Sequence, residues 1–98
     1  MNQNLLENTE AVIKWYEGIQ TIFKHLQVTN KWSKQEAWDK LEIELINSVG
    51  EGDLVPDDLD WVRGLLLHGK TPTTEEAIRV SKRYIDSTPL IDSLAKLF

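Results

Sequence analysis

The sequence predicts an all-α protein, a compact array or bundle of four helices followed by a short fifth helix. Apolar residues recur at three- and four-residue steps along most of the chain, which is the spacing that places side chains on one face of an α-helix. No strand-like alternation of useful length occurs. A chain of 98 residues is too short for two separate cores, so we predict a single domain over residues 1–98. The predicted helices cover residues 5–27, 34–49, 56–68, 73–86 and 89–97.

The stretch from Pro56 to Ile85 predicts two helices joined by a tight corner, and we expect the other helices to pack around this pair. Pro56 suits the first position of a helix, because its missing N–H would be unbonded there in any case. Gly69 suits the left-handed position that ends a helix. Thr73 and Glu76 then have the spacing of a capping box, which predicts the start of the next helix.

The first two helices are predicted from their apolar stripes. The stripe of the first runs from Leu5 to Leu26 and contains Gly18, which indicates either close approach by a neighbouring element or a tolerated surface glycine. Glu10 and Lys14 have the spacing of an i,i+4 ion pair. The second helix begins after Ser33 and Glu36, another capping box. Its predicted buried residues are Trp38, Leu41, Leu45, Ile46 and Val49.

Ile43 lies off the buried stripe of the second helix, which predicts either a wide buried face or an apolar side chain left for a partner. The short last helix is predicted after Ser87, Thr88 and Pro89, and the chain ends on Leu97 and Phe98. Two large apolar residues at this position predict docking onto the core or onto another chain. Self-association through Leu97, Phe98 and Ile43 is therefore one expectation for the partner.

Composition excludes several kinds of site. The chain has no cysteine, so disulfides, thiolate catalysis and cysteine-ligated zinc are absent. We see no secretory signal and no apolar run long enough to span a bilayer, and we expect a cytoplasmic protein that does not bind membranes. The net charge of -5 argues against a nucleic-acid binder that depends mainly on phosphate contacts.

No motif for catalysis, metal binding or cofactor binding is recognisable. The acidic run from Glu51 to Asp60 is interrupted by Leu54, Val55 and Pro56 and lacks the later glutamate of a calcium loop. His25 and His68 have no ligand spacing, and we interpret both as residues near helix C-termini. We therefore predict a protein that is not an enzyme and that has no catalytic, metal or cofactor residues.

The charge distribution is the main functional signal. Residues 51–60 contain five acidic residues and no basic one, whereas residues 63–83 contain five basic residues and two acidic ones. Such asymmetry favours partners with complementary surfaces. Trp61 lies off its helix's apolar line, among aspartates, and is the tryptophan that we most expect to be partly exposed, followed by Trp32 at a corner. The predicted partner-binding residues are Asp57, Asp58, Asp60, Trp61, Arg79, Lys82 and Arg83.

We predict a small acidic adaptor or inhibitor that binds another macromolecule, with a protein favoured. One form of this hypothesis is that Asp57, Asp58 and Asp60 imitate the phosphates of a nucleic acid. The alternative is a nucleic-acid-binding module that uses the helix carrying Arg79, Lys82 and Arg83. That helix pair resembles a helix-turn-helix only superficially, because His68, Lys70 and Glu75 occupy positions that such a motif needs to bury.

Overall fold

The computed structural model describes residues 2–49, 56–84 and 88–97, and these residues form five α-helices and no β-strand. The all-α fold predicted from the apolar periodicity is confirmed. No helix within the described ranges is both long enough and apolar enough to cross a bilayer. The helices are α1 (Asn2–Asn30), α2 (Lys34–Val49), α3 (Pro56–His68), α4 (Thr74–Ser81) and α5 (Thr88–Leu97).

Helix α1 is the centre of the array. It packs against each of the other four described helices, and most extensively against α4. Its apolar stripe is fully buried along the middle of the helix, at Val12, Trp15, Tyr16, Ile19 and Phe23. The expectation that the α3–α4 pair organises the fold is wrong, because α4 packs mainly on α1 and α3 packs on α1 and α2. Because α3 and α4 are adjacent in sequence, we expected them to form a helical hairpin. Helix α1 carries the longest apolar stripe, and the other helices pack against it instead.

Polar contacts fix the α1–α4 interface. The hydroxyls of Thr9 and Ser81 lie 3.2 Å apart in a buried position. The Asn8 side-chain amide donates to the carbonyl of Tyr84 at 2.7 Å, beyond the end of α4. The Tyr16 hydroxyl donates to the carbonyl of Lys70 at 2.7 Å, and burial raises the pKa of Tyr16. Small residues and hydrogen bonds therefore align α1 with both ends of α4.

Three predicted helix-end signals are present. Ser33 and Glu36 form a capping box at the start of α2, and Thr73 and Glu76 form another before α4. Gly69 adopts a φ of 66°, and the next amide, that of Lys70, donates to the Leu65 carbonyl at 2.9 Å. This is the left-handed helix end that glycine adopts without steric cost.

Three predicted helix boundaries are wrong. Helix α1 begins at Asn2 instead of residue 5. It continues to Asn30 instead of ending at residue 27, because the chain leaves the helix only where Lys31 adopts a left-handed φ of 57°. Helix α4 ends at Ser81 instead of residue 86, since the amides of Arg83 and Tyr84 bond three residues back in a tightened turn. Ser87 and Phe98 lie outside the described residues.

Several side chains differ from their predicted environments. Ile46 was expected in the core and is 44% exposed, so the buried stripe of α2 is narrower than predicted. Ile43 is 53% exposed, in agreement with its position off the stripe. Within the described ranges, Lys40 pairs with Glu44 at 2.9 Å, while the predicted Glu10–Lys14 ion pair is absent. These exposed positions matter for the surface described below.

Gly18 marks a close approach between helices. A Cβ at this position would lie 2.5 Å from a terminal carbon of Leu94 on α5, which is shorter than any tolerable carbon–carbon contact. Of the two interpretations of Gly18, the close approach is the one that the structure supports. Leu97 on the same helix also packs against the core, which places the described part of α5 on the domain itself.

Candidate protein-binding surfaces

Asp58 on α3 is buried and forms an ion pair with Arg83, in the turn after α4. Its exposure is only 1%, whereas the Arg83 side chain is 36% exposed. Asp58 precedes Val62 and Leu65 by four and seven residues, so it lies on the apolar face of α3. The ion pair therefore connects two helices that we expected to carry separate acidic and basic binding surfaces. Burial removes Asp58 from direct contact with any partner.

Opposing effects act on the Asp58 carboxyl group. Burial raises the pKa of Asp58 above its ordinary value of 3.8, while a hydrogen bond from the Tyr84 side chain and the charge of Arg83 lower it. The effect of burial is the largest, so the net direction is upward. A buried carboxylate is expensive unless it is paired, and Arg83 provides the compensating charge. The pair is structural because both groups face each other within the fold.

Trp61 and Glu76 provide a second link between α3 and α4. The indole N–H of Trp61 donates to a carboxylate oxygen of Glu76 at 2.6 Å. The other carboxylate oxygen accepts from the Thr73 amide at 3.1 Å, within the capping box. Trp61 is half-buried, as its position off the apolar line predicted. Its polar edge is occupied, which leaves the indole ring as the part available to a partner.

These hydrogen bonds lower the pKa of Glu76 below its ordinary value of 4.5, with the Trp61 indole making the largest contribution and the Thr73 amide the next. A carboxyl whose pKa is lowered by folding stabilises the folded state above its unfolded pKa. That stability is lost as the pH falls through the folded-state pKa. Glu76 therefore contributes to stability at neutral pH and loses this contribution below 4.5.

Replacement of Glu76 by Gln is expected to lower the free energy of unfolding by about 1 kcal/mol at neutral pH, because charge-assisted hydrogen bonds become neutral ones. The difference from the wild type should shrink on acidification below 4.5. In the wild type, the Trp61 indole N–H resonance should shift with the titration of Glu76, with a midpoint below 4.5. Glu75→Gln, one residue away and exposed, is the matched control. An indole resonance that titrates equally in Glu76→Gln would contradict the assignment.

Four of the predicted partner-binding residues are exposed and take no part in these two contacts, whereas Arg83 is exposed and paired with Asp58. Asp57 and Asp60 are exposed on α3, and Arg79 and Lys82 are exposed on or just after α4. The Asp58–Arg83 and Trp61–Glu76 contacts connect α3 to α4 and to the turn after it, and exposed acidic residues lie beside these contacts on α3 and exposed basic residues on or just after α4. We call Asp57, Asp60, Arg79 and Lys82 the mixed-charge surface.

Large apolar side chains are exposed elsewhere on the described surface. Ile43 and Ile46 are three residues apart on α2 and therefore share a face of that helix. Leu6 on α1 is 59% exposed, and Ile91 on α5 is 54% exposed. Single exposed apolar residues are common on proteins, but neighbouring ones are typical of binding surfaces.

A groove with a volume of about 410 Å³ lies between the first half of α1 and helix α5. Ile91 and Leu94 contribute apolar side chains from α5, and the aromatic ring of Trp15 contributes from α1. The indole nitrogen of Trp15 is buried and has no hydrogen-bond partner among the described residues. We call this the α1–α5 groove, and it is lined by Glu7, Glu10, Ala11, Lys14, Trp15, Ile91 and Leu94.

No family model, curated protein or solved structure matches the chain. Its function must therefore be inferred from its own surface, charge and packing.

The described residues offer no candidate metal site. No group of three or more histidine, aspartate and glutamate side chains is close enough to hold an ion within residues 2–49, 56–84 and 88–97. Glu51 and Asp53 of the predicted acidic run lie outside the described residues. His68, the last residue of α3, is exposed, in agreement with the predicted position at a helix end. His25 lies within α1, where its ring is 3.4 Å from the Thr29 hydroxyl.

The α1–α5 groove was not predicted, although signals for it are present in the sequence. Leu6 lies off the buried stripe of α1, and Glu7, Glu10 and Lys14 follow at helical spacing. Ile91 is likewise an additional apolar residue, beyond those that a short helix needs for its buried face. The sequence does not reveal that α1 packs against α5, and this packing brings the groove residues together.

Proposed function

We propose that the protein acts without catalysis, by binding another protein, as a small acidic cytoplasmic adaptor or inhibitor. The observation that carries this proposal is the set of large apolar side chains left exposed on a fold whose other large apolar side chains, among the described residues, are buried or partly buried. These side chains are Leu6, Ile43, Ile46 and Ile91, together with Val28 near the end of α1. Protein partners bury such side chains, and apolar contact is the main driving force of most protein association.

The charges of the surface support a protein partner as well. The mixed-charge surface combines Asp57 and Asp60 on α3 with Arg79 and Lys82 on or just after α4, and exposed charges of both signs favour an oriented encounter with a complementary protein. Imitation of nucleic-acid phosphates, as an inhibitor of a basic protein, would depend on Asp57 and Asp60, since Asp58 is buried.

The competing function is nucleic-acid binding by the basic residues after α3. Pairing of Arg83 with Asp58 leaves Arg79 and Lys82 as the free cations of that predicted surface within the described residues. With two phosphate contacts, the expected dependence of affinity on salt is weak, with a logarithmic slope of roughly -2. Two cations, Arg79 and Lys82, therefore provide little electrostatic attraction for phosphates on a chain with a net charge of -5.

Affinity capture followed by purified titration tests the proposal. The wild-type chain is immobilised, native proteins are captured with and without nuclease, and each captured protein is then expressed and titrated. Parallel baits carry the single substitution Ile91→Glu and the double substitutions Ile43→Glu/Ile46→Glu, Asp57→Lys/Asp60→Lys and Arg79→Ala/Lys82→Ala. All of these positions are exposed, so the baits are expected to fold.

We expect nuclease-resistant, saturable binding of a purified protein, weakened about tenfold or more by the substitutions on one surface. Binding that disappears with nuclease and with Arg79→Ala/Lys82→Ala would favour the nucleic-acid alternative. A chain that captures no saturable protein partner would refute the proposed function.

A further inference from the structure

We propose that the α1–α5 groove binds an amphipathic helix of the partner protein, with lysine or arginine residues beside its apolar face. This inference rests on the proposed function and identifies the surface and the kind of partner segment. The groove combines an apolar floor, an acidic rim and an open side. Each of these features restricts what can bind.

The shape of the groove favours a helix. Its walls are two packed helices, so a third helix can place its side chains between theirs, as helices do in bundles. From Glu7 to Trp15 the groove follows α1 for about 12 Å, given the rise per residue of an α-helix. That length accommodates about two turns, with apolar side chains at positions i, i+4 and i+7 of the partner.

The charges of the groove favour a basic partner. Glu7 and Glu10 lie one turn apart on α1, and neither forms an ion pair with another described residue. Lys14 lies one turn beyond Glu10 and is likewise without an ion pair in the described part of the chain. A partner helix with its basic residues beside Glu7 and Glu10, and an acidic or polar residue beside Lys14, would match these charges.

The exposed apolar residues extend the same surface. Ile91 lines the groove and remains 54% exposed, although Leu90 beside it is buried. Leu6 lies four residues before Glu10 and therefore on the same face of α1. A bound helix would cover both side chains.

A second copy of this chain is a poorer occupant, because two copies would each bring a net charge of -5.

A displayed library of random helical peptides of about 16 residues, roughly four turns, provides the probe. Peptides selected on the full wild-type chain are titrated against Ile91→Glu and against Glu7→Lys/Glu10→Lys. Thr21→Glu is the control for the first, since Thr21 is exposed on α1 and does not line the groove. Asp39→Lys/Glu42→Lys matches the second, with two acidic residues at the same spacing on α2, neither of them buried.

We expect selected peptides to carry apolar residues at i, i+4 and i+7 with flanking lysine or arginine. Their Kd should rise about tenfold or more on Ile91→Glu and on Glu7→Lys/Glu10→Lys, and by less than about twofold on the two controls. Exchanging the basic residues of a peptide for glutamate should restore binding to Glu7→Lys/Glu10→Lys. Circular dichroism of each variant verifies the fold, and the charge variant tests the groove independently of Ile91.

The inference is overturned if no peptide is enriched, if the peptides are acidic, or if the controls weaken binding as much as the groove variants. Concentration-dependent dimerisation that Ile91→Glu abolishes would overturn it too, because the occupant would then be a second copy. A captured partner protein that binds both groove variants normally but is lost on Asp57→Lys/Asp60→Lys would refute the groove and leave the proposed function standing. Absence of any partner protein would refute the proposed function itself.

Discussion

Replacement of Arg83 by Met is expected to lower the free energy of unfolding by about 3 kcal/mol at neutral pH, because it leaves the Asp58 carboxylate buried without its cation. The opposite change, Asp58→Asn, should cost less, about 1 to 2 kcal/mol, since Arg83 is 36% exposed and can be hydrated. The double variant should be more stable than the sum of the single losses predicts. Chemical unfolding of the four proteins measures these differences.

The pH dependence of the free energy of unfolding identifies why Arg83→Met is less stable. Removing Arg83 removes a charge that lowers the pKa of Asp58, so the folded-state pKa rises further above 3.8. The folded state then binds a proton that the unfolded state does not, and its stability falls as the pH rises from 3.8 through the folded-state pKa. The loss in Arg83→Met should therefore be largest at neutral pH and should shrink on acidification.

Arg79→Met provides the control for Arg83→Met. Arg79 is exposed and one turn earlier, so its replacement should change stability by no more than about 0.5 kcal/mol. A loss in Arg83→Met that is equally small, or that is the same at neutral and acidic pH, would contradict a structural role for the ion pair.

Replacement of Gly18 by Val is expected to lower the free energy of unfolding by about 1 to 3 kcal/mol, because the new side chain would collide with the Leu94 side chain and displace it from its packing between α1 and α5. The matched control is Gly64→Val on α3, where a Cβ would meet nothing within 4 Å. That control should leave stability nearly unchanged, since valine is a slightly better helix former than glycine.

Leu94→Ala tests the close contact between Gly18 on α1 and Leu94 on α5 by removing the side chain on α5. In that background the collision at Gly18 is relieved, so Gly18→Val should cost clearly less than in the wild type. Chemical unfolding of the four combinations gives the coupling energy. Equal costs in both backgrounds would mean that Gly18 does not govern the α1–α5 distance. Because the α1–α5 groove lies along this interface, Gly18→Val should also weaken the selected peptides.

The local features of the fold were predictable from sequence, because each depends on a few neighbouring residues. The capping boxes at Ser33 and Thr73 and the left-handed Gly69 require only the identity of residues three or four positions apart. The helical period likewise predicted the buried faces of α1 and most of α2. Helix ends were less predictable, since Lys31 and the turn after Ser81 end their helices without a glycine or proline.

The tertiary arrangement could not be predicted in the same way. Asp58 and Arg83 are 25 residues apart, and only the packing of α3 and α4 against α1 brings Asp58 close to the turn that carries Arg83. A signal was nevertheless present, because an aspartate on an apolar stripe needs a buried partner. The choice of α1 as the central helix depends on long-range packing, as does the groove that it forms with α5.

Chemical-shift mapping of the purified partner on the ¹⁵N-labelled chain is the most direct test of the claim that this fold acts by binding a protein through the α1–α5 groove. The claim predicts saturable shifts around Ala11, Ile91 and Leu94, lost on Ile91→Glu and retained on Thr21→Glu. Shifts confined to the surroundings of Arg79 and Lys82, produced by nucleic acid and by no protein, would contradict it.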